Sequence, residues 1–142
     1  MKYDAKIWGP MYWFFIHSVA LTYPDYPNEV ITRKYYDFFM NLPLFIPDVE
    51  MGKRFSEMLD KYPITPYLKS KDSLIRWTNF IHNQYNKMLD KEILSLNQSM
   101  ASYFEKYTPT PLDIYKNNKK WRYYVHTGFI LGILLLIMIY WA

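Results

Sequence analysis

The side chains best suited to chemistry in this chain are two histidines with their aromatic and amide neighbours. The chain contains three histidines and no cysteine. His17 follows Trp13 by four residues, and Asn86 follows His82 by four. On a helix, residues four apart project from the same face. An imidazole or indole face can stack on a planar ring, and an amide can hydrogen-bond to its edge. These residue types favour binding of a flat ligand.

Other catalytic interpretations of the sequence are weak. His17 and Ser18 are neighbours in the chain, which does not place them as base and nucleophile. With only four glycines, the chain has no glycine-rich phosphate loop. The carboxylates of Glu50, Glu57 and Asp60 follow helical spacing and are best explained as a solvated face. No histidine or carboxylate cluster has the spacing of metal ligands, so we expect no metal site.

The composition indicates a folded protein of mild positive charge. Hydrophobic residues make up 51% of the chain, aromatic residues 20%, and the net charge is +4. Such a chain can form a core and is not globally disordered. A nucleic-acid-binding protein gathers its basic residues into one patch. Here Arg33, Lys34, Lys53 and Arg54 are scattered among acidic residues, so we expect no nucleic-acid partner.

Apolar residues recur at helical spacing in five segments, and proline-rich or polar breaks separate them. Pro10 suits the first turn of a helix, Asn28 suits the cap of the second helix, and Asp72 or Ser73 suits the cap of the fourth. The five predicted helices run approximately from Pro10 to Leu21, from Asn28 to Leu42, from Asp48 to Tyr62, from Asp72 or Ser73 to Leu89, and from Ser95 to Tyr107. Their apolar stripes include Val30 and Tyr35 in the second helix and Trp77 and Phe80 in the fourth. The predicted fold class is all-α: an antiparallel four-helix bundle with a short fifth helix.

The last segment differs in kind from the rest. From residue 123 to residue 142 the only strongly polar side chain is His126. About 20 apolar residues cross a bilayer core as a helix, and aromatic residues favour the two interfaces. We therefore predict a bundle at 1–107, a polar linker at 108–120 and a single-pass C-terminal transmembrane anchor at 121–142. The alternative is a helix buried in a large assembly. Four basic residues precede the segment: Lys116, Lys119, Lys120 and Arg122. Because basic residues next to a membrane span favour the cytosolic side, we expect the bundle on that side.

Aromatic, proline and histidine residues in the predicted helices form one extended motif. Its parts are Trp8-Gly9-Pro10 with Trp13 and His17; Tyr23-Pro24 with Pro27; Pro47-Asp48-Val49-Glu50-Met51 with Phe55; and Trp77 with His82-Asn83-Gln84-Tyr85-Asn86. The combined spacing resembles the Erv/ALR family of FAD-dependent sulfhydryl oxidases, including members from large DNA viruses. The resemblance extends from about residue 7 to residue 107.

This resemblance implies a helical bundle that holds FAD at one end. An imidazole would stack on the adenine ring, an amide would read its edge, and a lysine would meet the pyrophosphate. The positions that match the family's binding residues are Gly9, Trp13, His17, Trp77, His82, Asn83, Asn86, Lys87 and Lys91. Under the alternative interpretation, the aromatic residues form the core and the histidines are remnants that bind no flavin.

The redox cysteines of the family are missing. The resemblance places its Cys-x-x-Cys motif at Asp48 and Met51, and a further cysteine at Leu96. A carboxylate cannot perform thiol exchange and a thioether cannot form a disulfide, so we do not expect this chain to oxidise thiols by itself. Asp48 would lie in the first turn of a helix, where a carboxylate is favourable.

Two functional hypotheses follow. The first is a non-catalytic, membrane-anchored structural protein, a minor capsid or membrane-linking component of a virion. It would have no cofactor, and its partners would be the lipid membrane through residues 121–142, other virion proteins and a second copy in a homodimer. Tyrosines that could contact partners are Tyr26, Tyr35, Tyr36 and Tyr67. The second hypothesis is an FAD-binding flavoprotein with altered or partner-dependent redox chemistry.

Overall fold

The computed structural model describes residues 3–141, and all regular structure in this range is helical. The helices are α1 (Ala5–Leu21), α2 (Glu29–Asn41), α3 (Val49–Lys61), α4 (Lys71–Met88), α5 (Leu96–Glu105) and α6 (Pro111–Trp141), with 3-10 turns at Leu42–Phe45 and Thr65–Tyr67. The predicted all-α fold is confirmed. Contacts divide the chain into one unit that ends at Tyr103 and another that begins at Phe104. This boundary lies four residues before the predicted end of the bundle.

Side-chain caps explain where the bundle helices begin. Asn28 accepts a hydrogen bond from the backbone N–H of Ile31 at 2.9 Å, as the sequence predicted. For α4 the prediction of Asp72 or Ser73 was wrong. The cap is Ser70, whose hydroxyl accepts from the Ser73 N–H at 3.3 Å. Asp72 already lies in the first turn and instead pairs with Arg76 at 2.8 Å. Three neighbouring polar residues could each cap this helix, and only the backbone conformation selects Ser70.

Helix α1 begins earlier than predicted. Asp4 caps it by accepting from the Lys6 N–H at 2.8 Å, and Pro10 lies inside the helix instead of in its first turn. A proline inside a helix removes one backbone hydrogen bond. The turn before Pro10 is held by the Asp4 cap and by the edge-to-face contact of Trp8 with Tyr12, whose ring centroids are 5.3 Å apart.

The core of the first unit lies between the helices and is rich in aromatic residues. Two residues predicted on buried stripes are exposed: Val30 is 65% exposed and Phe80 is 40% exposed. Tyr35, predicted on a buried stripe and also as a partner contact, is half-buried against Tyr23, with ring centroids 4.6 Å apart. The buried core residues are Ile16, Ala20, Tyr23, Phe39, Leu42, Phe55, Met58, Leu59, Ile64, Leu68, Leu74, Trp77, Ile81 and Tyr85.

Polar atoms of aromatic side chains fix the connecting segments to the helices. The Tyr12 hydroxyl donates to the Phe45 carbonyl at 2.6 Å, and the Tyr23 hydroxyl donates to the Leu68 carbonyl at 2.8 Å. Each ring thus packs its apolar body and satisfies its hydroxyl on a backbone carbonyl. Gly52 of α3 permits a close approach, because a Cβ there would lie 2.7 Å from the Pro43 carbonyl oxygen.

The second unit contains α6, which has 31 residues and none buried. The segment predicted as a polar linker, 108–120, is helical from Pro111 onward. Thr110 and Asp113 form reciprocal hydrogen bonds at its start, and Pro111 occupies the first turn, where a proline is favourable. These two features start a helix, and nothing in the polar residues that follow stops it. By length and composition, α6 can cross a membrane.

Candidate functional site: the histidine pair

The two histidines that the sequence singled out meet between α1 and α4. The Nε2 atom of His17 and the Nδ1 atom of His82 are 3.0 Å apart, so one nitrogen donates to the other. His17 is buried and His82 is half-buried. Within residues 3–141, no three histidine or carboxylate side chains converge as a metal site requires. The pair is therefore best described as a hydrogen-bonded element of a packed site.

An aromatic wall surrounds this pair. Trp13 stacks on His82 with ring centroids 4.0 Å apart and planes inclined by 9°. Phe55 and Tyr85 lie against the same indole, with centroid distances of 6.0 Å and 5.8 Å. The site thus offers flat faces and few polar atoms, which is the chemistry expected for contact with a planar ring.

Burial controls the charge of His82. Burial is the main cause that lowers its pKa, and the nearby His17 and the cation of Lys91 lower it further, to about 3. His82 is therefore neutral near pH 7. It can share a hydrogen bond and present a ring face, but it does not supply a positive charge to a phosphate.

The positions assigned to the lost cysteines lie beside this wall. Asp48 caps α3 by accepting from the Met51 N–H at 3.0 Å. Met51 packs against the core, and its carbonyl lies 3.5 Å from the Tyr85 hydroxyl. Burial, and secondarily the Asp48 carboxylate, raise the pKa of Tyr85 to about 12. Asp48 and Met51 thus connect through Tyr85 to the site of Trp13 and His82.

Two of the predicted binding residues have structural partners. The Asn83 amide donates to the Leu94 carbonyl at 2.7 Å and accepts from the Leu94 N–H at 3.0 Å, which fixes the segment before α5. Trp77 is 2% exposed, and its indole N–H donates to the Tyr62 carbonyl at 3.1 Å. Its ring packs on Phe39, away from the contacts that His82 makes. The structure therefore does not bring Trp77 to the histidine pair.

The remaining predicted residues lie near the ends of the same helices. Lys87 and Lys91 are exposed and Asn86 is half-buried. The Asn86 carbonyl accepts from the Lys91 N–H at 2.9 Å, across a turn in which Asp90 has a left-handed backbone with φ of 53°. This turn brings the Lys91 charge towards His82. Gly9 is half-buried in α1, and the space beside its Cα is open.

The sequence did not reveal two parts of this region. Tyr85 and Phe55 were expected only in the core, yet both contact Trp13. Tyr85 follows His82 by three residues, so helical spacing could have placed it on the same wall. The second omission is a contact between Ser18 and Tyr103, whose hydroxyls are 2.8 Å apart and link α1 to α5. No local signal indicates that contact.

Comparison with known proteins identifies the family. Residues 10–108 match the model of the Erv1 / Alr family. The chain belongs to the Erv1 / Alr family. The resemblance drawn from the motif residues is thereby confirmed.

Relatives and solved structures agree with this assignment. A probable FAD-linked sulfhydryl oxidase of Acanthamoeba polyphaga mimivirus is 34% identical over 103 residues, which is 72% of each chain. An FAD-linked sulfhydryl oxidase of African swine fever virus is 28% identical over 68% of this chain and 79% of its own. The crystal structure of the yeast Erv1 core superposes with a TM-score of 0.64 at 24% identity, over 75% of this chain and 85% of that one. That structure supports the fold.

Proposed function

We propose that this member of the Erv1 / Alr family is a non-catalytic structural protein anchored in a membrane. The observation that carries the proposal is the state of positions 48 and 51. The Asp48 carboxylate is used as the cap of α3, and Met51 packs against the core. Neither side chain can form a mixed disulfide, and the 142 residues contain no cysteine elsewhere. The scaffold retains its shape without the groups that the resemblance assigns to thiol oxidation.

Membrane attachment through residues 121–142 is the second part of the proposal. The apolar side chains of α6 point in every direction and all of them are exposed; for example, Phe129 is 69% exposed and Leu136 is 66% exposed. A helix that is apolar on all sides needs lipid or a full protein coat around it. Because basic residues precede the apolar segment, we propose that the bundle lies on the cytosolic or capsid-facing side.

A virion location is supported by the source of the relatives, since several belong to large DNA viruses. The bundle also carries a surface suited to protein contacts. Ile7, Met11 and Phe15 lie four residues apart on α1 and are 71%, 66% and 51% exposed. Such a continuous apolar line on a helix marks an interaction surface. We assign it to a second copy of the chain or to a capsid protein.

The test combines an activity measurement with a location measurement. The purified full chain, supplied with FAD and dithiothreitol, should consume no more oxygen than the same mixture of FAD and dithiothreitol without the protein. In infected cells, the protein should copurify with shell proteins after detergent extraction of particles. Thiol turnover by the pure chain, or a protein found free and absent from particles, would contradict the proposal.

A second candidate function is an FAD-binding flavoprotein, which the stack of Trp13 on His82 favours. The space between the two stacked rings is filled, so their outer faces are the ones that suit a planar ring, and the exposed Lys87 and Lys91 fit a pyrophosphate. Asn83 fits less well, because Leu94 already takes one N–H and one lone pair of its amide. Bound FAD would supply an electron acceptor, whereas the residues of this chain would only bind and orient it. A similar solved structure, 25% identical with a TM-score of 0.64, is described as the FAD binding domain of Erv1 from Saccharomyces cerevisiae.

Two measurements separate the candidates. A full chain that remains colourless after incubation with FAD and removal of the excess would eliminate the flavoprotein. A sharper test restores the thiols with Asp48→Cys and Met51→Cys together. If FAD is held beside Trp13, this variant should oxidise dithiothreitol. The matched control, Lys53→Cys with Ser56→Cys, has the same spacing on exposed positions of the same helix and should remain inactive.

A further inference from the structure

The segment of α6 before the apolar span carries its lysines on one side. Helical geometry advances about 100° per residue. Lys116, Lys119, Lys120, Tyr123 and Tyr124 therefore fall within an arc of roughly 140°. Arg122 adjoins this arc. The result is a basic face of α6, formed by Lys116, Lys119, Lys120 and Arg122, which runs directly into a pair of tyrosines.

The charge of this basic face is not neutralised within the described part of the chain. From residue 106 to residue 142 the only acidic residue is Asp113. Its carboxylate is occupied at the start of α6, where hydrogen bonds from Thr110 hold the pKa of Asp113 below its usual value. Ion pairs of the first unit join Arg54 to Glu50, Lys71 to Asp25 and Arg76 to Asp72, and none of these pairs includes a cation of the basic face. Four cations thus remain available to an external anion.

The length of the apolar span determines how deep the four cations of the basic face would lie in a bilayer. Residues 123–141 carry no Asp, Glu, Lys or Arg. As a helix they span about 28 Å, close to the roughly 30 Å of a bilayer hydrocarbon core. Lys120 and Arg122 would then lie at the level of the lipid phosphates, and Lys116 one turn farther out. Long lysine and arginine side chains reach such head groups while their stems stay near the interface.

We propose that the basic face of α6 selects phospholipids with a net negative head group, such as phosphatidylglycerol or phosphatidylserine, over zwitterionic lipids. This inference rests on the proposed membrane attachment. The reason is charge complementarity, since a zwitterionic head group offers a phosphate but cancels its charge. Each basic residue near an anionic membrane surface raises the affinity of the segment for that surface about fivefold, and the four residues of the basic face contribute together.

The experiment uses the full chain in phosphatidylcholine vesicles that contain a minor fraction of phosphatidylglycerol. Spin-labelled versions of the two lipids serve as probes, and the relative association of each with the protein is measured by electron spin resonance. The test variant is K116Q/K119Q/K120Q/R122Q. The control variant, R33Q/K34Q/K53Q/K69Q, removes the same number of exposed cations from the bundle.

The unmodified chain and the control should prefer phosphatidylglycerol by about fivefold or more, and the test variant should show a ratio close to one. The preference should shrink as salt rises from about 0.1 M to 1 M, because the Debye length falls from about 10 Å to about 3 Å. Inorganic phosphate at constant ionic strength should leave it unchanged.

Equal association of both lipids with the unmodified chain, or equal loss in both variants, would overturn the inference. Loss of the phosphatidylglycerol preference in inorganic phosphate at constant ionic strength would also overturn it, because that loss would indicate a site for free anions. If the chain failed to enter vesicles at all, the proposed membrane attachment would fail with it. Entry without head-group preference would reject this inference alone.

Discussion

Helices α3 and α6 distribute their apolar residues in opposite ways. In α3, Gly52, Phe55 and Met58 are buried, while Lys53 and Glu57 between them are exposed. In α6, none of the 31 residues is buried, although its second half is almost entirely apolar. A one-sided helix is matched to water on one face and a protein core on the other. A helix that is apolar all round is matched to lipid or to a full protein coat.

The two units also differ in what makes them specific. The bundle depends on individual contacts, such as the stack of Trp13 on His82 and the bonds of Asn83 to Leu94. Each requires a particular residue at a particular place. The apolar half of α6 requires only length and the absence of charge. We therefore expect the bundle to be sensitive to small changes of shape, and α6 to be sensitive mainly to charge.

Charge placed at the middle of the apolar span should have the largest effect. Ile133→Lys together with Leu136→Lys costs roughly 5–7 kcal/mol of insertion free energy on the biological insertion scale. The fraction of protein that resists alkaline extraction from membranes should fall sharply. Two lysines placed at exposed bundle sites, Ser56→Lys with Ser102→Lys, should not change it. Equal extraction of both variants would mean that α6 is held by protein instead of lipid.

Acid should destabilise the bundle through His82. Its pKa falls to about 3 in the folded chain, from 6.5 in the unfolded one. Between these values the unfolded state binds more protons, so stability is lost as pH falls below about 6.5. By about pH 4 the loss should reach roughly 3 kcal/mol. Denaturant unfolding of the chain and of His82→Gln across this range checks the prediction. A His82→Gln variant with the same pH slope as the unmodified chain would show that His82 is not the cause.

The tight contact at Gly52 gives a matched pair of glycine substitutions. Gly52→Ala places a Cβ 2.7 Å from the Pro43 carbonyl, so helix α3 must shift, at about 1–3 kcal/mol. Gly9→Ala meets open space inside α1 and should stabilise the bundle by about 0.5–1 kcal/mol. Thermal unfolding should therefore move in opposite directions. A loss of stability in both variants would contradict the close approach of α3.

The smallest predicted effect compares the caps of α3 and α6. Asp48→Ala removes the bond to the Met51 N–H and should lower bundle stability by about 1 kcal/mol, whereas Asp48→Ser should retain most of it. Asp113→Ala removes the reciprocal bond at the start of α6, in which the Asp113 carboxylate accepts from the Thr110 N–H. Because Asp113 lies outside the core of the first unit, the melting temperature of the bundle should not change. A shift as large as that of Asp48→Ala would show that the two units unfold together.

Sequence patterns predicted the helices well where the local signal was unambiguous. Asn28 caps the helix that it was expected to cap. Asp48 was expected in the first turn of α3 and is instead its cap, one residue before the helix begins. The prediction failed at the start of α4, where Ser70, Asp72 and Ser73 compete and only the backbone conformation decides. It also failed at Pro10, because a proline is permitted in a first turn but does not require one there.

The candidate site was predictable only in part. Helical spacing placed Asn86 one turn from His82, and the motif marked His17 in another helix. The 3.0 Å contact of His17 with His82 depends on how α1 packs against α4, which no local pattern encodes. Asn83 shows the same limit, because its amide is engaged by Leu94, eleven residues later in the chain.

The sequence by itself determined the helical class, the family and the loss of redox thiols, because periodicity, motif residues and the absence of cysteine are properties of the chain alone. It also determined that one helix is suited to lipid, since uniform apolarity is visible in the residues of that helix alone. Only the tertiary structure decided which aromatic residues gather at the histidine pair and which stay in the core. That choice depends on contacts between residues distant in sequence, and burial created there is what keeps His82 neutral.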